Sequence, residues 1–153
     1  MNPLSAIETS SPDVIAGATL TVPTQGPAFI EITKDVSHFL GKCAAADGLL
    51  LIYLRHTSAS LAIQENADPN VQKDLLTALR RLAPDDADWV HKVEGPDDMP
   101  AHIKAMLTGV SLQVPVRGGA PGLGTWQGIY LIEHRVQPHK REVLLQFIGS
   151  RRR

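Results

Sequence analysis

Residues Ser111–Ile148 read SLQVPVRGGAPGLGTWQGIYLIEHRVQPHKREVLLQFI. Three apolar-rich runs, Ser111–Val116, Thr125–Arg135 and Arg141–Ile148, alternate here with Gly-rich or Pro-containing turns, so the end of the chain predicts an antiparallel set of strands. Just upstream, Asp98–Thr108 has acids at its start, Pro100 in its first turn, apolar Ile103, Met106 and Leu107, and Gly109 as a stop, which predicts a helix. Asp68-Pro69 predicts another helix start, because Asp68 caps free backbone N–H groups and Pro69 suits a turn whose N–H has no partner. Val71, Leu75, Leu79 and Leu82 give that helix one apolar face, and Pro84-Asp85-Asp86 ends it. Ser60–Gln64 and the continuous apolar run Leu49–Leu54 predict strands on either side of a His56-Thr57-Ser58 corner. Thr33 reads as the N-cap of a first helix carrying Val36, Phe39, Leu40 and Cys43, with Gly48 beyond its end. Ala18–Val22 and Ala28–Ile32 flank a Pro-Thr-Gln-Gly-Pro turn. Helices and strands mix without a βαβ rhythm, so the expected class is α+β: a single compact domain with a largely antiparallel or mixed sheet and about three helices. Residues 1–17 read as a flexible extension, 18–149 as the domain, and 150–153 as a basic tail.

The whole chain has 153 residues, enough for one domain with a real core. Its 15 Lys+Arg against 16 Asp+Glu leave no basic excess to neutralise a phosphate backbone, and 5% aromatic residues are too few for a base-stacking platform. Nucleic acid is therefore not an expected partner. Cys43 stands alone, which excludes an internal disulfide and a Cys-rich zinc site; it reads as a small buried hydrophobe on a helix. No apolar run reaches the roughly 18 residues of a membrane span, and the N-terminus lacks a basic then apolar leader, so a cytoplasmic location is expected. Arg151-Arg152-Arg153 reads as a solvated tail.

Chemistry concentrates in the histidines. His38 sits between Lys34 and Lys42 and reads as solvated, and His139 lies in a turn. His56 stands at the mouth of a buried strand, where a polar residue either bonds to backbone or forms a site. His102 lies near a helix start, where the dipole favours the neutral ring that binds metals. His134 shares a strand face with Trp126, Gly128, Tyr130 and Ile132, so it is expected to be buried and partnered. Gaps of 46 and 32 residues separate His56, His102 and His134. Such spacing demands no metal, yet three dispersed imidazoles can converge as catalytic three-His sites do. No GxSxG elbow supports Ser58 or Ser60 as a nucleophile, and Gly118, Gly119, Gly122 and Gly124 join two strands, not the strand and helix of a phosphate loop.

Three stretches resemble a known family: HTSASLAIQENADPNVQKDL (His56–Leu75), HKVEGPDDMPAHIK (His91–Lys104) and LGTWQGIYLIEHR (Leu123–Arg135). They are similar to the YjbQ-like family, also called secondary thiamine-phosphate synthases, from about Ala18 to Gly149. The resemblance implies a compact α+β homotrimer in which the motif residues gather into one pocket near subunit contacts. It implies His56, His102 and His134 as a metal group, Zn²⁺ by the preference of imidazole, with Mg²⁺ the alternative beside pyrophosphate. Asp98 and Glu133 join them as catalytic residues, and Asn66, Asp68, Glu94, Lys104, Thr125, Trp126 and Gln127 as substrate-binding residues. His91 is either a support for that group or structural. The implied reaction couples hydroxymethylpyrimidine diphosphate to thiazole phosphate and releases pyrophosphate, with Lys104, Arg117 or Arg135 assisting. Trp126 or Tyr130 would stack on the pyrimidine, although Trp126 reads equally well as core. Two further readings stand beside this one: a metal-dependent phosphate-ester hydrolase, and a non-catalytic trimeric module that holds a metabolite or a metal.

Overall fold

The computed structural model describes residues 2–152, in the order β1 (Val14–Thr24), β2 (Ala28–Glu31), α1 (Thr33–Lys42), β3 (Ala45–Leu54), β4 (Ala59–Glu65), α2 (Pro69–Leu82), α3 (Asp98–Thr108), β5 (Ser111–Arg117), β6 (Ala120–Pro121), β7 (Gln127–Glu133) and β8 (His139–Arg151). The expected α+β class and three helices are found, but the strands form two sheets. One has the order β1-β8-β3-β5-β6 and the other β2-β7-β4, and all pairs are antiparallel.

Alternation explains how the sheets meet. Val143, Leu145 and Phe147 of β8, Leu50, Ile52 and Leu54 of β3, and Ile129 and Leu131 of β7 enter one apolar cluster, which Val36, Phe39 and Leu40 of α1 also join. β7 is the middle strand of its sheet, and Gly128–Glu133 are buried on both faces. β3 and β8 approach closely at Gly48 and Gly149, beside a register shift between Ala45 and Gly48. A Cβ on Gly48 would fall on the Ile148 carbonyl oxygen, and one on Gly149 on that of Asp47, so neither position accepts a side chain.

Three local expectations change. β1 begins at Val14, so residues 14–17 belong to the sheet, where Val14 pairs with Gly149. Ser150 and Arg151 likewise continue β8, and Arg152 N–H donates to the Ala44 carbonyl at 2.7 Å; Arg153 lies outside the described residues. Thr33 is the first helical residue of α1 and not its cap. Its hydroxyl accepts from Ile129 N–H and donates to Glu31, which ties the helix start to β7. Asp68 caps α2 as expected, accepting from Asn70 N–H at 2.8 Å.

Candidate metal centre

Asp98 and His102 lie one helical turn apart at the start of α3, so their side chains share a face. The loop before that helix brings His91 to the same face. His91 Nε2 lies 2.8 Å and His102 Nε2 3.2 Å from a single oxygen, Asp98 Oδ2. Among the described residues, these three form the group of His, Cys, Asp or Glu donors that fits around one ion. Asp98 is buried while His91 is largely exposed, so the group opens to solvent on the His91 side.

The hydrogen bonds around the group fix what each donor can do. A carbonyl only accepts, so His102 Nδ1 carries the proton in its 2.9 Å bond to the Thr57 carbonyl. Nε2, the other ring nitrogen, then faces Asp98 Oδ2. Two acceptors at 3.2 Å call for a cation, either a proton or a metal. Arg135 NH1 bonds to Asp98 Oδ1, Nε donates to Asp97 at 3.1 Å, and NH2 donates to the Glu94 carbonyl at 2.7 Å. One guanidinium therefore holds the Asp98 carboxylate, the helix start and the loop carrying His91. Ligands about 2.1 Å from a tetrahedral ion stand about 3.4 Å apart, so the two spacings to Asp98 Oδ2 need only small adjustment to accept one.

The structure does not bring His56 and His134 into this group, contrary to the three-histidine expectation. His134 is buried, and its Nε2 meets Ser60 Oγ at 2.8 Å. Burial, with the charges of Lys104 and Arg141, pushes its pKa down to about 4. His56 uses its Nε2 lone pair to accept Glu142 N–H at 2.9 Å, and burial followed by the Arg141 charge lowers its pKa. His56 does share an open cleft of about 850 Å³ with His102, bounded by Tyr53, Thr57, Met106 and Arg141.

Glu133, expected in catalysis, is fully buried. It accepts from Arg141 at 2.6 and 2.7 Å and from the Thr24 hydroxyl at 2.7 Å. Burial raises its pKa, but these bonds and the Arg135 N–H outweigh it and hold the carboxyl below its ordinary range. Glu133 thus ties the two sheets together. Glu94 stands 3.9 Å from Arg135. Lys104 points into a different cavity, and Arg117 stands 3.9 Å from Glu8.

Asn66, Asp68, Thr125, Trp126 and Gln127 gather at the other end of β4 and β7. Asn66 N–H donates to the Trp126 carbonyl, and Gln127 closes its turn by accepting from Gly124 N–H at 2.8 Å. Ala59 pairs with Glu133 and Glu65 with Gln127, so the two ends are six residues, roughly 20 Å, apart. Within one chain these residues do not join the His102 pocket. Trp126 is exposed, so it is not core; Tyr130 packs edge-on against Phe29.

Sequence reasoning gave His91 no firm role. The readable signal was Asp98-x₃-His102, an i,i+4 donor pair on one helix.

Comparison with known proteins agrees with this fold. Residues 18–150 match the model of the family described as UPF0047 protein YjbQ-like. A UPF0047 protein of Synechocystis is 44% identical over 132 residues, covering 86% of this chain and 90% of that protein. The YjbQ protein of Salmonella typhimurium is 43% identical over 133 residues, 86% of this chain and 96% of its own length. Among solved structures, a protein of Aeropyrum pernix superposes with a TM-score of 0.82 at 31% identity, covering 88% of this chain and 99% of that one. A YjbQ/UPF0047 protein of Clostridium acetobutylicum gives 0.80 at 38% identity, covering 86% and 99%. With the family model spanning nearly the whole folded part, the chain belongs to the YjbQ-like UPF0047 family.

Proposed function

We propose that this chain is a divalent-metal-dependent enzyme acting on a phosphorylated small molecule. The convergence of His91, Asp98 and His102 on one point carries the reading. Two imidazoles and a carboxylate suit Zn²⁺ or a similar borderline ion better than Mg²⁺. A cation bound there supplies positive charge to the oxygens of a phosphate or a departing pyrophosphate. Thr57 orients His102, and Arg135 leaves Asp98 Oδ2 free for the ion by occupying Oδ1. Half-exposed Arg55 faces the cleft and offers charge to an anionic substrate, while Tyr53, Met106 and Val110 give its body an apolar wall.

In its specific form the reading is thiamine-phosphate synthesis, which rests on the motif resemblance. A second reading, phosphate-ester hydrolysis, is favoured by the open His91 side, because three protein ligands leave a position for water or substrate. The test loads purified protein with Zn²⁺ and supplies hydroxymethylpyrimidine diphosphate with thiazole phosphate, following thiamine phosphate and pyrophosphate. Phosphomonoesters are assayed in parallel. Turnover by wild type that disappears in folded His102→Ala supports the proposal. A metal-bearing wild type inert in both assays returns the chain to the binding-module reading.

A homotrimer is part of the same proposal. Leu49 and Ile148 are exposed cross-strand partners on the outer face of the larger sheet, and Tyr53 and Met106 are exposed beside the cleft. A neighbouring copy supplies both the missing cover and a route for the distant Trp126 end to reach a cleft. Light scattering giving three copies at micromolar concentration supports this; a monomer refutes it.

A further inference from the structure

A second cavity, about 80 Å³, lies between α2, α3 and the end of β7, and it shares no lining residue with the open cleft. One water needs on the order of 10–15 Å³ of such space, so the cavity has room for a multi-atom ion. Lys104, His134, Arg80, Asp85 and Asp97 line it. Lys104 is nine-tenths buried, yet among the described residues its ammonium makes no hydrogen bond; its nearest carboxylate is Asp85, 3.8 Å away on a half-exposed turn. Asp97 makes no hydrogen bond to it among the described residues, its Oδ2 accepting from Arg135 Nε and Val136 N–H, although its negative charge reaches the ammonium. His134 is buried and its ring bonds only through Nε2 among the described residues, leaving Nδ1 without a protein partner. Thr108 Oγ1 lies 2.8 Å from the Lys104 carbonyl, which takes its single proton, and 2.6 Å from Ser60 Oγ; Ser60 then donates to Thr108 and accepts from His134 Nε2–H, so His134 Nδ1 faces the cavity as an acceptor.

We propose that this cavity binds one phosphate-sized oxyanion, held by Lys104 Nζ with Arg80 at its edge and with a protonated oxygen of the anion facing His134 Nδ1. Asp85 is the competing anion and swings toward solvent when the site fills. The site is independent of the metal reading, because none of its residues belongs to the metal group.

The test titrates inorganic phosphate into the full-length protein with EDTA present, so that no metal binds the anion. Thermal midpoint and calorimetry report binding. Wild type is expected to show saturable stabilisation. Lys104→Met should weaken phosphate binding roughly tenfold or more, whereas Asp85→Asn should tighten it several-fold by removing the competitor. His91→Ala should leave it unchanged. Absence of saturable binding in wild type, or equal affinity in Lys104→Met, overturns the proposal. If Lys104→Met fails to fold, Asp85→Asn decides: no tightening overturns it. Glycerol phosphate, run beside free phosphate, distinguishes the source. Its binding assigns the site to the terminal phosphate of a larger molecule, and its exclusion assigns it to the free ion.

Discussion

Acidification should destabilise the fold through His134, by an amount the structure sets. Its pKa falls from an ordinary 6.5 to about 4, chiefly through burial. The unfolded chain takes up a proton near pH 6.5, whereas the folded ring refuses it until about pH 4. Stability from the neutral ring is therefore complete above pH 6.5 and is lost as pH falls through that window. At 1.36 kcal/mol per pKa unit the full loss is about 3 kcal/mol, of which about 2.5 kcal/mol is reached by about pH 4.5. Urea unfolding at about pH 7.5 and about pH 4.5, with EDTA present, measures it in wild type and in His134→Gln. Glutamine keeps a hydrogen-bonding group toward Ser60 but cannot titrate. Glu133, whose own contribution is lost only as pH falls below its ordinary range, is common to both chains and cancels in the comparison. The acid-induced loss should be smaller in the variant by about 2.5 kcal/mol. Equal losses in both chains would refute the assignment of a buried, neutral His134.

Three further outcomes follow from the same structure. Glu133→Ala leaves the buried Arg141 guanidinium without its carboxylate and should cost about 3–5 kcal/mol in urea unfolding. Arg135→Met frees Asp98 and the loop carrying His91, so zinc affinity measured by competition with a chelating dye should drop roughly 10–100-fold, with folding judged by circular dichroism. Gly48→Ala forces a methyl group onto the backbone of β8 and should lower stability by about 1–3 kcal/mol, read as a shifted urea midpoint.

Much of the fold was legible because its signals are local. Asp68-Pro69 and the Val71, Leu75 and Leu79 spacing define α2 within a few residues, and Asp68 caps it as read. Alternation along β7 led to the expectation of a buried, partnered His134, and the ring is buried against Ser60. That Glu133 meets Arg141 is a long-range outcome: the arginine lies near the start of β8 in the other sheet, and nothing near it in sequence signals burial. The two-sheet split is equally non-local, since it depends on β8 pairing with β1 and β3 while β7 pairs with β2 and β4. At the site, polar placement singled out His56, His102 and His134 as unusual, but strand-end and strand-face positions do not say which partner each ring meets. His56 meets a backbone N–H, His134 meets a serine, and His102 meets a loop histidine. The Asp98–His102 turn was readable; the loop path that delivers His91 was not.

In the proposed function His91, Asp98 and His102 hold one divalent ion. Anomalous diffraction from crystals of the zinc-loaded protein tests it most directly. One zinc peak per chain is expected, about 2.0–2.2 Å from His91 Nε2, His102 Nε2 and an Asp98 carboxylate oxygen. No peak at these three residues, or a peak held by His56 and His134 instead, would contradict it.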